Sequence, residues 1–380
     1  MRDDVAILGV GMTRFGKWAE RGYASLVSEA AREAMSHAGI EPTDVQASFS
    51  GTASAPPGTG QRVFKGLGVT GRPIINVENA CASGSTAVVE ASAWIRAGMC
   101  EVALAVGVEI LSEIRGPLPT GEGWYFDVGL NLPGWYALKA SKHQAAYGLT
   151  DRQLAAVSVK NRQLAMANER AYFQSPVTAD EVLASRMIAD PLTLLQCCPK
   201  ADGAAALVLA SGEFVRRRGG RPVWIRGMSL TSGTAVFSDS AMIASASSRA
   251  AEQAYEQAGI GPTDLDVVEC HDAFSIGEIL YTEALGLCGE GDGGLLCESG
   301  ATSPGGKKAT VNPSGGLLAK GHPLGATGIA QLAEIVWQLR GEAGQRQRED
   351  ARWGAALAMG GGEFDLDANA CTVMLLQNDR

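Results

Sequence analysis

Short apolar runs recur along this chain, and most of them are followed by a segment with helical character. Residues 5–10 and 223–228 are rich in apolar and β-branched residues, as strands are. Residues 103–107 and 356–360 are continuous apolar runs, which is typical of buried strands. Strands that close each half are predicted at 204–210 and 371–376. Strands that alternate with helices predict an α/β fold with mixed sheets.

An internal repeat organises these elements into two halves. Residues 30–31, 38–40 and 42–44 recur as 250–251, 258–260 and 262–264, so the offset stays at 220 residues. The correspondence continues with a slightly longer offset, from the helix start at 82–84 to the one at 326–328. A repeat at a fixed offset indicates a duplicated supersecondary unit. We therefore predict two pseudo-symmetric halves, each of which begins with a strand and a helix.

The repeat also predicts the domain boundaries. We assign residues 1–112 and 200–220 to the first half and 221–380 to the second, with 113–199 inserted in the first half. The insertion is rich in helix formers from Ser141 to Arg170 and carries clustered aromatic residues. These are Trp124, Tyr125, Phe126, Trp135 and Tyr136. A substrate cover and a small satellite core explain such a cluster equally well.

Composition narrows the class of protein. The net charge of −9 argues against a nucleic-acid or anionic-membrane surface. No stretch approaches the roughly 20 apolar residues of a spanning helix, so we expect a cytoplasmic protein. The eight cysteines form neither a Cys-x-x-Cys pair nor a cluster at zinc spacing, which predicts no metal site and no disulfide framework. The vicinal pair Cys197-Cys198 is expected to pack in the core.

Two corresponding loops of the repeat carry reactive side chains. Cys81 precedes the helix of the first half, where the helix N-terminus is expected to favour thiolate over thiol. His322 lies in the matching loop of the second half, within a rigid Gly/Pro-rich stretch that suits a positioned base. Pseudo-symmetry is expected to bring the two loops together, and a cysteine that faces a histidine suits nucleophilic acyl chemistry. Taken alone, Cys81 would be interpreted as a small buried hydrophobe.

The other three histidines differ in context. His271 follows a predicted strand at 265–269, where ligand-contacting side chains collect. It can stabilise a developing oxyanion, or else it caps the next helix or pairs with Asp272. His37 and His143 lie in polar helical segments, and we predict a surface position for both.

Four motifs together resemble the active-site motifs of the thiolase superfamily. The first is Asn-Ala-Cys-Ala-Ser-Gly at 79–84, and the second is His-Asp-Ala-Phe at 271–274. The third is the stretch 312–328, which contains Gly-His-Pro-Leu-Gly-Ala-Thr-Gly, and the fourth is Gly-Gly-Gly at 360–362. The His-Asp opening of the second motif is similar to the sterol-carrier-protein type, also called lipid-transfer-protein thiolases, which are acetyl-CoA acetyltransferase-like. The resemblance covers essentially the whole chain. It implies mixed five-stranded sheets in a layered αβαβα arrangement, with the insertion as a loop domain.

The resemblance also implies roles for individual residues. Cys81 would be the acylated nucleophile, and His322 would be its base and part of an oxyanion site with His271. The backbone N–H groups of Cys81 and Gly360 would form a second oxyanion hole. Coenzyme A would be a substrate, with no bound cofactor. Relatives of this kind are dimers or tetramers and often pair with a small zinc-ribbon, oligonucleotide-fold protein.

The chain departs from the family at the second catalytic cysteine. Thiolases commonly carry it two residues before the glycine run, where this chain has Ala358, and the sterol-carrier-protein type carries it at the position of Ala273. The missing proton transfers then fall to His322, His271, a water molecule, Cys270 or Glu363. The side chain of Cys270 is expected to point to the opposite face of its strand.

Three functions fit this set of residues. The first is a 3-ketoacyl-CoA thiolase whose substrate is not simple acetoacetyl-CoA. The second is another enzyme of the superfamily that forms or cleaves carbon-carbon bonds, such as a condensing enzyme or a retro-aldolase. The third is a non-catalytic subunit that binds acyl-CoA for a partner, because sites rather than folds carry function.

Overall fold

A computed structural model describes residues 4–114, 116, 129–234, 245–361 and 368–378. Trp124, Tyr125, Phe126, Gly362 and Glu363 lie outside the described residues. The described strands are β1 Val5–Met12, β2 Ala47–Gly51, β3 Ile74–Val77, β4 Val102–Glu109, β5 Met187–Ala189, β6 Leu192–Thr193, β7 Gly203–Ser211, β8 Val223–Thr231, β9 Val267–Glu269, β10 Thr310–Val311, β11 Trp353–Gly360 and β12 Ala370–Gln377.

Helices connect these strands. They are α1 Gly22–Ala38, α2 Thr59–Lys65, α3 Ser83–Arg96, α4 Leu132–Tyr147, α5 Asp151–Ala165, α6 Ala179–Ala184, α7 Gly212–Arg218, α8 Ser245–Ala258, α9 Ser275–Ala284, α10 Gly293–Glu298, α11 Gly316–Lys320 and α12 Leu324–Arg340. Local sequence sets their ends. Left-handed Gly39 and Gly341 terminate α1 and α12, and Thr150 and Gln153 form a capping box at the start of α5. Within the described residues, no helix is both long and apolar enough to cross a bilayer.

The main sheet confirms the predicted duplication. Its strand order is β10-β9-β11-β12-β8-β1-β7-β4-β2-β3, so each half contributes five strands in the same relative order. In each half two parallel pairings at the outer edge are followed by antiparallel pairings toward the centre. The two halves join where β1 meets β8, through the residue pairs Ala6–Trp224 and Ile7–Val223. The structure thus links the two predicted five-stranded sheets along one short seam.

Helices α3 and α12 form the central layer of the fold. They pack on each other and on strands of both halves, and their apolar residues share one core with both inner sheet faces. Helix α1 covers the outer face of the first half, and α8 and α9 cover the outer face of the second. This is the layered αβαβα arrangement that the resemblance implies. The domain boundaries at 112, 199 and 220 stay a prediction.

The insertion packs on the second half of the molecule. Its helices α4 and α5 share a core with α9, and a short ribbon of β5 and β6 follows them. Trp135 and Tyr136 both contribute to this core, and Tyr136 also faces a cavity beside Cys81. The described aromatic residues of the insertion therefore fit both explanations, because they fill a satellite core and Tyr136 also lines the cavity.

The surface position predicted for His143 is wrong. Its ring is fully buried in α4, and Nε2 lies 2.9 Å from Oε1 of Glu283. The polar residues around it in the sequence face solvent, whereas the ring points at α9, because only one stripe of a helix is covered. His37 is partly exposed, and its Nε2 lies 2.9 Å from Nη1 of Arg340.

Candidate active site

The structure brings Cys81, His271 and His322 together although they are far apart in sequence. Sγ of Cys81 and one nitrogen of each ring lie within 4.8 Å of one another, and all three residues are buried. The two imidazole rings meet edge to face, with centroids 4.9 Å apart and planes at 83°. The predicted meeting of the two loops is therefore present, with His271 as a third member.

The loop of Cys81 is held tightly at the start of α3. Cys81 lies in a single helical turn, Ala80–Ala82, and Ala80 has the unusual φ of 47°. The hydroxyl of Ser83 accepts from the N–H of Asn79 at 2.8 Å and donates to the carbonyl of Ala80 at 2.6 Å. These bonds fix the backbone on both sides of the cysteine.

Gly360 packs directly against this loop. A Cβ atom at Gly360 would lie 2.2 Å from the carbonyl oxygen of Asn79, so only glycine fits at the end of β11. The N–H of the next residue, Gly361, hydrogen-bonds the sulfur of Cys81. An oxyanion role for the N–H of Gly360 stays a prediction, and the N–H of Gly361 is a second donor at the same turn.

Burial controls the protonation of Cys81. It raises the pKa of the thiol to about 12, and the hydrogen bonds from the N–H groups of Gly361 and Cys81 lower it by less. The expectation that the helix start favours thiolate is therefore wrong for the resting protein. Desolvation of the charged form outweighs the donors, so attack by Cys81 requires a base.

Thr327 orients the ring of His322, the base that the resemblance predicts. Nδ1 of His322 lies 2.7 Å from Oγ1 of Thr327, whose own hydroxyl donates to the carbonyl of Pro323 at 3.0 Å. The Thr327 hydrogen is thus already used, so Nδ1–H must be the donor, and Nε2 keeps a free lone pair. Burial and the nearby His271 and Lys320 hold the pKa of His322 well below its usual value. The ring is neutral at neutral pH.

His271 has neither of the alternative roles considered for it. Helix α9 has no side-chain N-cap, and the carboxylate of Asp272 instead accepts from the N–H of Leu317 at 2.7 Å and from Nδ2 of Asn161 at 2.7 Å. Nδ1 of His271 is buried without a partner among the described residues. Burial lowers the pKa of His271 to about 3, so this ring is also neutral.

Glu109 supports the site, and its role was not predicted from the sequence. The carboxylate of Glu109 accepts from the N–H of Ala53 at 2.9 Å, from the hydroxyl of Ser54 at 2.7 Å and from the N–H of Gly325 at 3.1 Å. It thereby ties the first half to the start of α12, next to His322. Its position at the end of the apolar run 102–108 could have indicated this role, because a charged group there is buried and must be hydrogen-bonded.

A cavity of about 430 Å³ opens beside the three residues. Its walls are mostly apolar, and they come from the main fold and from the insertion. The apolar lining includes Leu111, Leu132, Ile188, Leu194, Phe274 and Met359. A cavity of similar volume, about 440 Å³, lies at the far end of α12, and neither histidine nor cysteine is among its described lining residues. The apolar cavity at Cys81 is the one suited to an acyl group.

The lining of the cavity shows which residues lie near Ala273, one of the two positions where relatives carry the second cysteine. Ala273 lines it, whereas Cys270 is fully buried behind it, with Sγ 3.5 Å from Nδ2 of Asn312. The predicted orientation of Cys270 is confirmed. Cys198 packs against the core as expected, and it also lines the cavity. The sequence carries no signal for this, since the backbone of the insertion alone brings Cys198 here.

The three residues are also the ones that could hold a metal ion. Cys and His are zinc ligands, but tetrahedral zinc sets its ligand atoms roughly 3.3–3.8 Å apart. The spread of up to 4.8 Å fits such an ion poorly. The absence of a metal site stays a prediction.

Comparison with known families decides the identity of the fold. The profile described as "Thiolase, N-terminal domain" matches residues 5–213, and "Thiolase C-terminal domain-like" matches 229–373. The chain belongs to the thiolase family. The matched segments contain Cys81, His271, His322 and Gly360, so the resemblance found in the sequence is confirmed.

Curated thiolase relatives align over nearly the whole chain. An acetyl-CoA acetyltransferase of Methanothermobacter thermautotrophicus is 41% identical over 94% of this chain and 96% of its own length. Sterol carrier protein 2 of Bos taurus is 39% identical over 93% of this chain and 69% of its own. The benzoylsuccinyl-CoA thiolase subunit BbsB of Thauera aromatica is 38% identical, with 89% of each chain aligned. These relatives show that the chain is an acyltransferase enzyme.

Solved structures agree on the fold. A chain from an Ltp2-ChsH2(DUF35) aldolase superposes with a TM-score of 0.88 at 27% identity, over 100% of this chain and 98% of its own. Human mitochondrial 3-ketoacyl-CoA thiolase in complex with CoA superposes with a TM-score of 0.76 at 20% identity, over 99% and 98%. The second likeness, at this identity, shows the thiolase fold alone.

Proposed function

We propose that this thiolase cleaves a 3-ketoacyl-CoA with coenzyme A through an acyl-cysteine at Cys81. The observation that carries the proposal is the convergence of a buried thiol and two neutral imidazoles, within 4.8 Å, at the floor of an apolar cavity. A neutral imidazole with a free Nε2 can accept the thiol proton, and the apolar walls exclude water.

In the first half of the reaction, Nε2 of His322 accepts the proton of Cys81 while the sulfur attacks the C3 ketone. Because the pKa of Cys81 lies at about 12 and that of His322 is depressed, the proton moves only as attack proceeds. The oxyanion that forms at C3 would accept from the N–H groups of Cys81 and of the Gly360–Gly361 turn. The C2–C3 bond then breaks, and its electron pair passes to the thioester enolate.

The enolate oxygen lies on the other side of the reacting atoms. The Nε2–H that His322 has gained and an N–H of His271 are suited to stabilise this second oxyanion. In the second half, coenzyme A attacks the acyl-cysteine and releases the shortened acyl-CoA. A carrier must donate one proton to C2 and accept one from the coenzyme A thiol.

The size of the cavity indicates the substrate class. A volume of about 430 Å³ with apolar walls exceeds what an acetyl group needs, and Phe274 and Tyr136 stack within 4.6 Å beside it. We propose a branched, long or aromatic acyl group. The benzoylsuccinyl-CoA named for the Thauera relative belongs to this class of substrates.

A second candidate is carbon-carbon cleavage without coenzyme A, as in a retro-aldol reaction. Two observations favour it, the likeness to the Ltp2 aldolase and the alanines at 273 and 358. A non-catalytic acyl-CoA-binding subunit is a weaker candidate, because Cys81, His271 and His322 are all retained and assembled.

The assembly is part of the proposal. The solved aldolase carries a DUF35 component in its name, Ltp2-ChsH2(DUF35), and we propose a small partner of the predicted zinc-ribbon, oligonucleotide-fold kind for this chain too. A homodimer or tetramer and a cytoplasmic location also stay predictions.

The test follows the acyl group on Cys81. The protein is mixed with acyl-CoA thioesters and with a panel of 3-ketoacyl-CoAs, with and without coenzyme A. We expect a mass increase on the Cys81 peptide that is absent in Cys81→Ser and present in Cys100→Ser, a buried cysteine outside the cavity. Consumption that does not depend on coenzyme A and releases an aldehyde would favour the retro-aldolase instead. No adduct and no turnover would favour the binding subunit.

A further inference from the structure

The thiolase reaction needs a proton carrier at C2, and the two usual cysteine positions hold Ala273 and Ala358. Ala273 lines the cavity, so no side-chain donor is present at this position. In the proposed mechanism His322 and His271 already serve the other reacting atoms. The proton at C2 then falls to a further group in the cavity or to a water molecule.

Cys198 lies next to the vacant position. Its backbone N–H donates to the carbonyl of Ala273 at 2.9 Å, and the neighbouring Cys197 forms an antiparallel bridge with Phe274. Two residues further on, Lys200 forms a parallel bridge with His322. The segment 197–200 is thus held between the two histidine motifs, and Cys198 lines the same cavity as Cys81, His271 and His322.

Both vicinal cysteines line the cavity, but only the sulfur of Cys197 has a hydrogen bond among the described residues. Sγ of Cys197 donates to the carbonyl of Thr193 at 3.4 Å, and the backbone at Cys197 is extended. Adjacent side chains of an extended segment point to opposite sides. The thiol of Cys198 therefore points away from that of Cys197 and is free of such a bond within the described structure.

We propose that Cys198 is the second catalytic cysteine of this enzyme and carries the proton between C2 and coenzyme A. This rests on the proposed thiolase function. When the C2–C3 bond breaks, the electron pair at C2 takes the hydrogen of the Cys198 thiol and leaves a thiolate. That thiolate then takes the proton of coenzyme A, whose sulfur attacks the acyl-Cys81 carbonyl. The bond from this carbonyl to the Cys81 sulfur breaks, and the sulfur takes back the proton that His322 gained in the first half. The Cys198 thiol is regenerated, and no further reactant is needed.

The environment of Cys198 suits both steps. Burial, with Cys197 and Cys81 nearby, raises the pKa of the Cys198 thiol well above its usual value. The group is therefore protonated at neutral pH and available as an acid. Its thiolate, once formed, is in turn a base that can take the proton of the coenzyme A thiol.

Tyr136 is one of the rival donors among the described residues that line the cavity. Its hydroxyl lies 3.0 Å from that of Tyr281, and burial raises the pKa of the Tyr136 phenol above its usual value. The hydroxyl thus belongs to a buried pair behind the ring, and the ring stacks on Phe274. Tyr136 is accordingly better suited to form the wall than to deliver a proton to C2.

The test compares Cys198→Ala with Cys270→Ala, a buried cysteine beside His271 that points away from the cavity. We expect Cys198→Ala to lower the kcat of thiolysis by roughly 10²–10⁴-fold and Cys270→Ala to change it by less than about threefold. Acylation of Cys81 by 4-nitrophenyl acetate, whose phenolate leaves without a proton, should stay at the wild-type rate in both variants. The double variant Cys198→Ala with Ala273→Cys should regain part of the lost rate.

Exchange of the C2 hydrogens of acetyl-CoA in D2O separates this proposal from the thiolase function itself. A wild-type enzyme that exchanges deuterium but performs no thiolysis would end the thiolase proposal, and loss of exchange in Cys198→Ala would still support the proton carrier. Equal thiolysis by Cys198→Ala and Cys270→Ala would overturn it. So would a loss found in Tyr136→Phe but not in Cys198→Ala, or an absence of exchange in the wild type.

Discussion

At the scale of single residues, one hydrogen bond decides which nitrogen of His322 can accept a proton. The Thr327 hydroxyl donates to Pro323 and so accepts from Nδ1–H, which leaves Nε2 as the base. Thr327 does not contact the reacting atoms and acts by positioning the ring. Such supporting bonds fix both the tautomer and the orientation of a catalytic imidazole.

Replacing Thr327 with valine should therefore reduce activity while the fold is kept. We expect Thr327→Val to lower kcat by roughly 10–100-fold with a smaller change in KM. Steady-state kinetics on a 3-ketoacyl-CoA that the wild type cleaves gives both values. Ser92→Ala removes a comparable buried bond, from the Ser92 hydroxyl to the carbonyl of Val88, and should leave kcat unchanged. A wild-type kcat in Thr327→Val would show that Nε2 does not depend on this bond.

At the scale of elements, the site exists because the starts of α3 and α12 cross at very short range. A Cβ atom at Gly84 would lie 2.2 Å from the carbonyl oxygen of Gly325, and one at Gly107 of β4 would lie 2.0 Å from the same oxygen. Cys81 lies three residues before Gly84, and His322 lies three residues before Gly325. The small residues thus set the distance between Cys81 and His322.

A methyl group at this crossing should separate the two loops. We expect Gly84→Ala to lower the free energy of unfolding by about 1–3 kcal/mol because the obstacle is backbone. It should also lower kcat by roughly 10²-fold, since a misplacement of about 1 Å is that costly. Urea unfolding and kinetics measure the two effects.

Gly66→Ala is the matched control. Gly66 has a φ of −68° at the end of α2, and its added Cβ would approach no atom closer than 3.7 Å. A Gly84→Ala variant as stable and as active as Gly66→Ala would mean that the helices separate without cost.

At the scale of the whole molecule, the fold buries two neutral histidines at the interface between its halves. The pKa of His271 falls to about 3 in the native state against 6.5 ordinarily, and that of His322 falls as well. Between pH 3 and pH 6.5, His271 carries a proton in the unfolded chain but not in the native protein. Stability from this group is thus complete above about pH 6.5 and is lost as the pH falls.

The variant His271→Asn isolates this contribution from those of the buried carboxylates. The free energy of unfolding of the wild type, relative to His271→Asn, should fall by about 2.5 kcal/mol between pH 7 and pH 4.5. Urea titrations of both proteins at a series of pH values give this difference. If the difference does not vary with pH, the pKa of His271 is the same in the native and the unfolded protein, and burial does not lower it.

Much of the fold and part of the site could be predicted from the sequence. The apolar runs and the repeat predicted where strands lie along the chain and that the two halves are alike, because each copy must bury its apolar face in the same way. Cys81, His271 and His322 were recognisable since their loops carry local signals of glycine, proline and helix starts. Cys198, Thr327 and Glu109 were not, because their roles depend on contacts with segments remote in sequence. His143 was misplaced for the same reason.

The amino-acid sequence by itself determined the elements, their duplication and the pairing of a cysteine loop with a histidine loop. These follow from periodicity and local backbone chemistry, which act over a few residues. Only the tertiary structure decided the protonation states, because desolvation depends on everything packed around a group. It also decided which residue lies beside the position where relatives carry the second cysteine. A segment of the insertion lies between the two histidine motifs and brings Cys198 beside Ala273, a neighbour that no local pattern specifies.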